Sequence, residues 1–180
     1  MKQFIHIPKT GGTSIRAMTI GNPEWDYASH RRKLQDEDVT NVVFTIRDPL
    51  DRFLSAAKHV TAARNRSREE GLGSAEFFIE KLKTGEAQHI LFKSLTHWLG
   101  SLEEFKQNEH CIHAVLDINS VDDYFSSLGI EPQYKRNSED YSIEFDETLS
   151  DASIDYFKQH FAEDYALYEY IIAQPYYVGN

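Results

Sequence analysis

Between Phe4 and Ile15 the chain reads FIHIPKTGGTSI, a run that admits few local structures. Phe4, Ile5 and Ile7 supply a strand, and Pro8 ends its ladder because it has no N–H to give. Gly11 and Gly12 let the backbone turn and approach another group closely, and Thr13 and Ser14 open a helix. A strand that runs through a glycine loop into a helix gathers unpaired N–H groups and the positive end of the helix dipole at one point. Lys9 adds a cation beside them. Such an arrangement suits an oxyanion. In a GxxxxGK[ST] triphosphate loop the Lys follows the last Gly, whereas Lys9 precedes the glycine pair, so an ATPase or kinase reading loses its central residue.

A second stretch, VVFTIRDPLDRFLSA from Val42 to Ala56, has the same grammar. Asn41 to Ile46 is a continuous apolar run of the kind buried on both faces of a parallel sheet. Arg47 stands at its end, Asp48 is placed to cap a helix, and Pro49 occupies the first helical position. Ser55 follows Arg52 by three residues, which puts both on one helix face, where a guanidinium fork and a hydroxyl could meet one anion.

The two stretches together resemble the sulfotransferases that use 3′-phosphoadenosine 5′-phosphosulfate (PAPS), in particular the branch of the heparan sulfate 2-O- and 6-O-sulfotransferases and small bacterial relatives. PKTGGTS matches their 5′-phosphosulfate loop, and RDPLDRFLS matches the R-[ND]-P-x-x-R-x-x-S pattern of their 3′-phosphate site. The resemblance implies a three-layer, P-loop-like α/β fold. It implies PAPS as co-substrate, 3′,5′-ADP as product, no metal, and a small-molecule or glycan hydroxyl as acceptor. Thr10, Gly11, Gly12, Thr13 and Ser14 would then hold the 5′-phosphate. Lys9 would stabilise charge on the leaving oxygen, Arg47 and Ser55 would hold the 3′-phosphate, and Arg52 would brace the loop. A late loop, Tyr134 to Ser138, is similar in character to one that returns over the nucleotide in that family, so Arg136 and Ser138 would add contacts. His30 lies between the two motifs, where the family carries a His after a Gly; it is the expected general base, although Ser29 replaces the Gly.

Other histidines have weaker claims. His6 alternates within the first strand and reads as a packed sheet residue, His59 lies one turn beyond Ser55 as a reserve base, and His97 precedes Trp98 in an expected loop. His110 and His113 fall three apart on an expected strand, pointing to opposite faces, so they cannot chelate one ion.

Further along, helices are expected at roughly Thr13 to Thr19, from Pro49 as far as Arg68, over SAEFFIEKLK, around Ala87 to Leu95 and from Val121 to Leu128. A single long helix is expected after Ser150. Gly21 to Asp38 reads as irregular, and Cys111 to Leu116 as a strand. Strands alternating with helices imply a mainly parallel sheet, with ligand at the strands' carboxyl ends. The 180 residues suit one domain, and no apolar run approaches the roughly 20 residues of a membrane span. With a core strand at the start and Cys111 as the one cysteine, a cytoplasmic location is expected.

The net charge of −10 is uneven: residues 1 to 68 carry a balance of +5 and the remainder −15. The basic excess coincides with both anion motifs, and the acidic remainder argues against a nucleic-acid partner. Two readings stay open beside the sulfotransferase. One is a nucleotide-binding module of the same fold without turnover, which would need no base; the other, disfavoured by the position of Lys9, is a small-molecule kinase.

Overall fold

The computed structural model describes residues 1–27, 29–64, 73–131 and 143–179. Five strands form one all-parallel sheet: β1 (Lys2–Ile5), β2 (Trp25–Tyr27), β3 (Val42–Ile46), β4 (Ile112–Asp117) and β5 (Tyr177–Val178), in the order β2-β1-β3-β4-β5. Eight α-helices accompany it among the described residues: α1 (Gly12–Thr19), α2 (Pro49–Arg64), α3 (Ala75–Lys83), α4 (Thr96–Leu99), α5 (Leu102–Asn108), α6 (Val121–Ser127), α7 (Asp151–His160) and α8 (Ala162–Ile172).

Strand alternation assigns the layers. Phe4, Val43, Ala114 and Leu116 face one side and pack on Ile15 and Met18 of α1 and Val121 and Phe125 of α6. Ile5, Val42, Phe44, Ile46 and Val115 face the other, against Trp98 and Leu99 of α4, Phe105 of α5, and Leu167 and Ile171 of α8. The expected three-layer α/β architecture is therefore present, with every central strand buried on both faces. A further cluster lies among the helices: Phe53 and Ala57 of α2, Phe78 and Ile79 of α3, Phe157 of α7, and Leu91 and Phe92 from a 3₁₀ turn, Ile90–Phe92.

The structure corrects several boundaries. The stretch expected to be irregular contains β2, and the helix expected near 87 to 95 is the 3₁₀ turn followed by α4, which takes in Trp98 and Leu99 where a loop was expected. The long C-terminal helix is broken at Phe161 because its apolar residues serve two places: Phe157 enters the helical cluster, while Leu167 and Ile171 cover the sheet. The chain then supplies β5. Expected features at 65–72 and 132–142 lie outside the described residues.

One buried ion pair ties the helical cluster to the sheet layer. The Arg52 guanidinium on α2 gives Nη1–H to the Leu91 carbonyl at 3.3 Å and Nη2–H to that of Lys93 at 2.6 Å, and stands 3.9 Å from the Asp164 carboxylate on α8. Asp164 in turn accepts from the Leu95 amide at 2.7 Å and the Thr96 amide at 3.4 Å at the start of α4. Both side chains are at most 3% exposed. Arg52→Ala leaves a buried carboxylate without its cation, a change worth about 3–5 kcal/mol. Denaturant unfolding should show a lower midpoint with the same slope; a loss below about 1 kcal/mol would show that the pair does not hold these elements together.

Candidate functional site

The chain leaves β1, crosses to β2 through α1, and returns to the other side of β1 as β3. At such a reversal the carboxyl ends of neighbouring strands diverge and leave a crevice. A cleft of about 580 Å³ lies there, within the range of small-ligand sites (roughly 300–1,000 Å³). The loop after β1 contributes Lys9 and Gly11 to Ser14, the end of β3 contributes Arg47, and α2 contributes Ser55 and His59; His30 and His6 complete one wall. Two stretches separated in the sequence are thus brought to one cavity.

The loop's shape follows from particular residues. Lys9 (φ 66°) and Gly11 (φ 87°) adopt left-handed backbone, unusual for Lys and easy for Gly. Gly11 is the N-cap of α1, with no side-chain cap bond, and passes directly into the helical Gly12. A left-handed residue followed by a helical one turns successive N–H groups toward a common point, a concavity suited to an anion. Gly12 has a different reason for lacking a side chain: a Cβ there would lie 2.1 Å from the His6 ring. Thr10 turns its side chain inward, where it is fully buried. The hydroxyl gives a 2.8 Å bond to the Ile7 carbonyl and pairs with the Thr45 hydroxyl of β3 at 2.6 Å, fastening the loop to the sheet.

Across the cleft, the Asp48 side chain accepts from the Leu50 amide at 2.8 Å and the Asp51 amide at 3.1 Å, so it caps α2 as expected. Arg47 makes no hydrogen bond or ion pair among the described residues and is half-buried at the cleft wall. Arg52 does not converge with Ser55 on one anion: it turns into the core and holds the Leu91 and Lys93 carbonyls. His97 does not line the cleft; its ring lies 3.5 Å from the Lys93 ammonium. Arg136 and Ser138 lie outside the described residues.

His30 sits in a 3₁₀ turn, Ser29–Arg31, whose backbone is held from α4: the Trp98 indole N–H donates to the His30 carbonyl at 3.3 Å. Its Nδ1 meets the His6 carbonyl at 3.0 Å. Since a carbonyl only accepts, the imidazole proton belongs on Nδ1 and leaves Nε2 bare in the neutral ring. His6 lies beneath it, with ring centroids 3.9 Å apart, and its Nδ1 meets the Tyr27 hydroxyl of β2. Burial, with lesser effects from His30 and Arg16, pushes the His6 pKa down to about 3.

Sequence reasoning missed a further contribution to the cleft, Ile118, Asn119 and Asp122 after β4. The signal was available, since they follow an expected strand at the same end as the other motifs. It also treated His6 as a sheet residue alone. Among the described residues no group of three or more His, Cys, Asp or Glu side chains is placed to hold a metal ion, and no helix is long and apolar enough to cross a membrane.

The depressed His6 pKa makes stability depend on pH. In the unfolded chain this group titrates near 6.5, so on acidification the unfolded state takes up the proton first. The contribution of neutral His6 is complete above pH 6.5 and is lost as the pH falls from there toward 3, at up to about 1.4 kcal/mol per pH unit. The difference in unfolding free energy between wild type and His6→Phe should follow that slope between neutral pH and about pH 4. A difference that does not change with pH would show that the folded ring titrates like a free one.

No protein-family model, curated protein or solved structure matches this chain, so its cleft must be read from its own residues.

Proposed function

We propose that the protein transfers a sulfuryl group from PAPS to the hydroxyl of an acceptor of the carbohydrate or simple-alcohol class. The observation that carries this reading is the convergence on one cleft of a glycine-loop cradle, an arginine without an acidic partner among the described residues, and a histidine whose Nε2 is bare. In this reading the first-turn N–H groups of α1 and the Thr13 and Ser14 hydroxyls hold the 5′-phosphate, while Arg47 and Ser55 hold the 3′-phosphate.

The reaction follows from these placements. His30 Nε2 takes the proton of the acceptor hydroxyl as its oxygen forms a bond to sulfur. The bond from sulfur to the bridging oxygen breaks, its electron pair stays on the 5′-phosphate, and 3′,5′-ADP departs. The Lys9 ammonium is attracted most strongly when charge on that bridging oxygen is greatest, so it acts on the transition state more than on the bound substrate.

Arg47 has no evident use unless the nucleotide carries a 3′-phosphate. The protein should bind 3′,5′-ADP about one to two powers of ten more tightly than 5′-AMP, the worth of a charge-assisted contact, and Arg47→Ala should remove most of the preference. Equal affinities by titration calorimetry would sink the 3′-phosphate assignment.

His30 separates an enzyme from a binder. His30→Ala should lower turnover by roughly 10²- to 10⁴-fold while leaving 3′,5′-ADP affinity nearly unchanged. If His59→Ala loses turnover and His30→Ala does not, the base has been misassigned. Absence of transfer by wild type to any of a panel of sugars, phenols and alcohols would favour a binding module.

A further inference from the structure

The two imidazoles in the cleft each have one nitrogen committed. His30 uses Nδ1–H on the His6 carbonyl. In His6, Nδ1 faces the Tyr27 hydroxyl, and among the described residues that nitrogen is the hydroxyl's one hydrogen-bond partner. The phenol has one proton to give and, among the described residues, that nitrogen alone to give it to, which places the lone pair on His6 Nδ1. The ring proton of His6 is then left on Nε2. That atom lies 2.2 Å from where a Cβ on Gly12 would stand, beside the first residue of α1, on the wall of the cleft.

We propose that His6 and His30 are a neutral pair of opposite tautomer, in which His6 presents Nε2–H as a hydrogen-bond donor to an oxyanion seated at the first turn of α1. His30 presents a bare Nε2 to the acceptor hydroxyl, and Tyr27 is the positioning residue that sets the His6 tautomer. The His30 half rests on the sulfuryl-transfer reading; the His6 half needs only an anion in the cradle.

A neutral donor has a specific advantage at this position. If His6 were charged, a cation would stand against the ring that must itself become an imidazolium, and proton uptake by His30 would be opposed. Burial keeps His6 neutral near pH 7 and so removes that opposition, while the Nε2–H dipole still stabilises an oxyanion. The proton stays on His6 throughout.

The test is nitrogen-detected NMR of the imidazoles in the full chain. Wild type should show His6 protonated at Nε2 and His30 protonated at Nδ1. In Tyr27→Phe the His6 signals should move toward a mixture of tautomers while His30 keeps its pattern. Inorganic phosphate, and then 3′,5′-ADP, should shift the His6 Nε2 resonance. His6→Gln keeps an N–H near the Nε2 position and should bind phosphate within about threefold of wild type. His6→Phe, which keeps a ring beside Gly12 but no donor, should bind about tenfold more weakly. Should His6→Phe fail to fold, Tyr27→Phe and the wild-type titrations decide the matter. A wild-type His6 protonated at Nδ1, or His6 signals unmoved by both anions, would overturn the proposal. A response to phosphate without binding of 3′,5′-ADP would uphold the donor and reject the nucleotide reading.

Discussion

The His6 ring occupies the space that a side chain on residue 12 would need, and the approach of α1 to the end of β1 is set by that contact. Other features of the cradle follow from the same closeness. A helix that starts so near its strand requires a sharply turned loop, which Lys9 and Gly11 provide through left-handed backbone. A loop so turned must be held, and the buried hydroxyl pair of Thr10 and Thr45 fastens it to β3. Thr45 therefore interrupts an otherwise apolar strand for a structural reason: a buried hydroxyl is tolerated where it is paired.

Arg47 and Arg52 lie five residues apart and have opposite fates. Arg47 stands at the carboxyl end of β3, where the sheet stops and the cleft begins. Arg52 comes after the first turn of α2, points into the core and binds two carbonyls besides Asp164. Burial lowers its pKa to about 10 against the opposing pull of Asp164, yet it remains cationic at neutral pH. It fixes the 3₁₀ turn that carries Leu91 to the cleft wall and the chain that leads into α4. Since α4 holds the His30 carbonyl through Trp98, this core cation also supports the far wall of the site.

Much of this arrangement was legible in the sequence where burial leaves a strong pattern. Phe4 and Ile5, and Val42, Val43, Phe44 and Ile46, are apolar because strands β1 and β3 are covered on both faces, and the Asp48-Pro49 pair marks the start of α2. β2 and β5 were not legible. They are edge strands of three and two residues, too short for a period, and Asp26 in the middle of β2 belongs to an ion pair with Arg32. The break at Phe161 was hidden because both halves of the C-terminal segment keep helical spacing and differ only in which surface they meet. At the site, the sequence singled out residues that line one cleft but could not distinguish a glycine needed for a turn from one needed for a neighbour's ring, nor show that Thr10 turns inward.

Side chains of both charge signs line the cleft. Lys9 and Arg47 come from the ends of β1 and β3, and Asp122 comes from the first turn of α6, after β4. Within a recess such charges act on one another and on a ligand more strongly than on open surface, because less water screens them. Sequence halves of opposite net charge thus meet at the cavity.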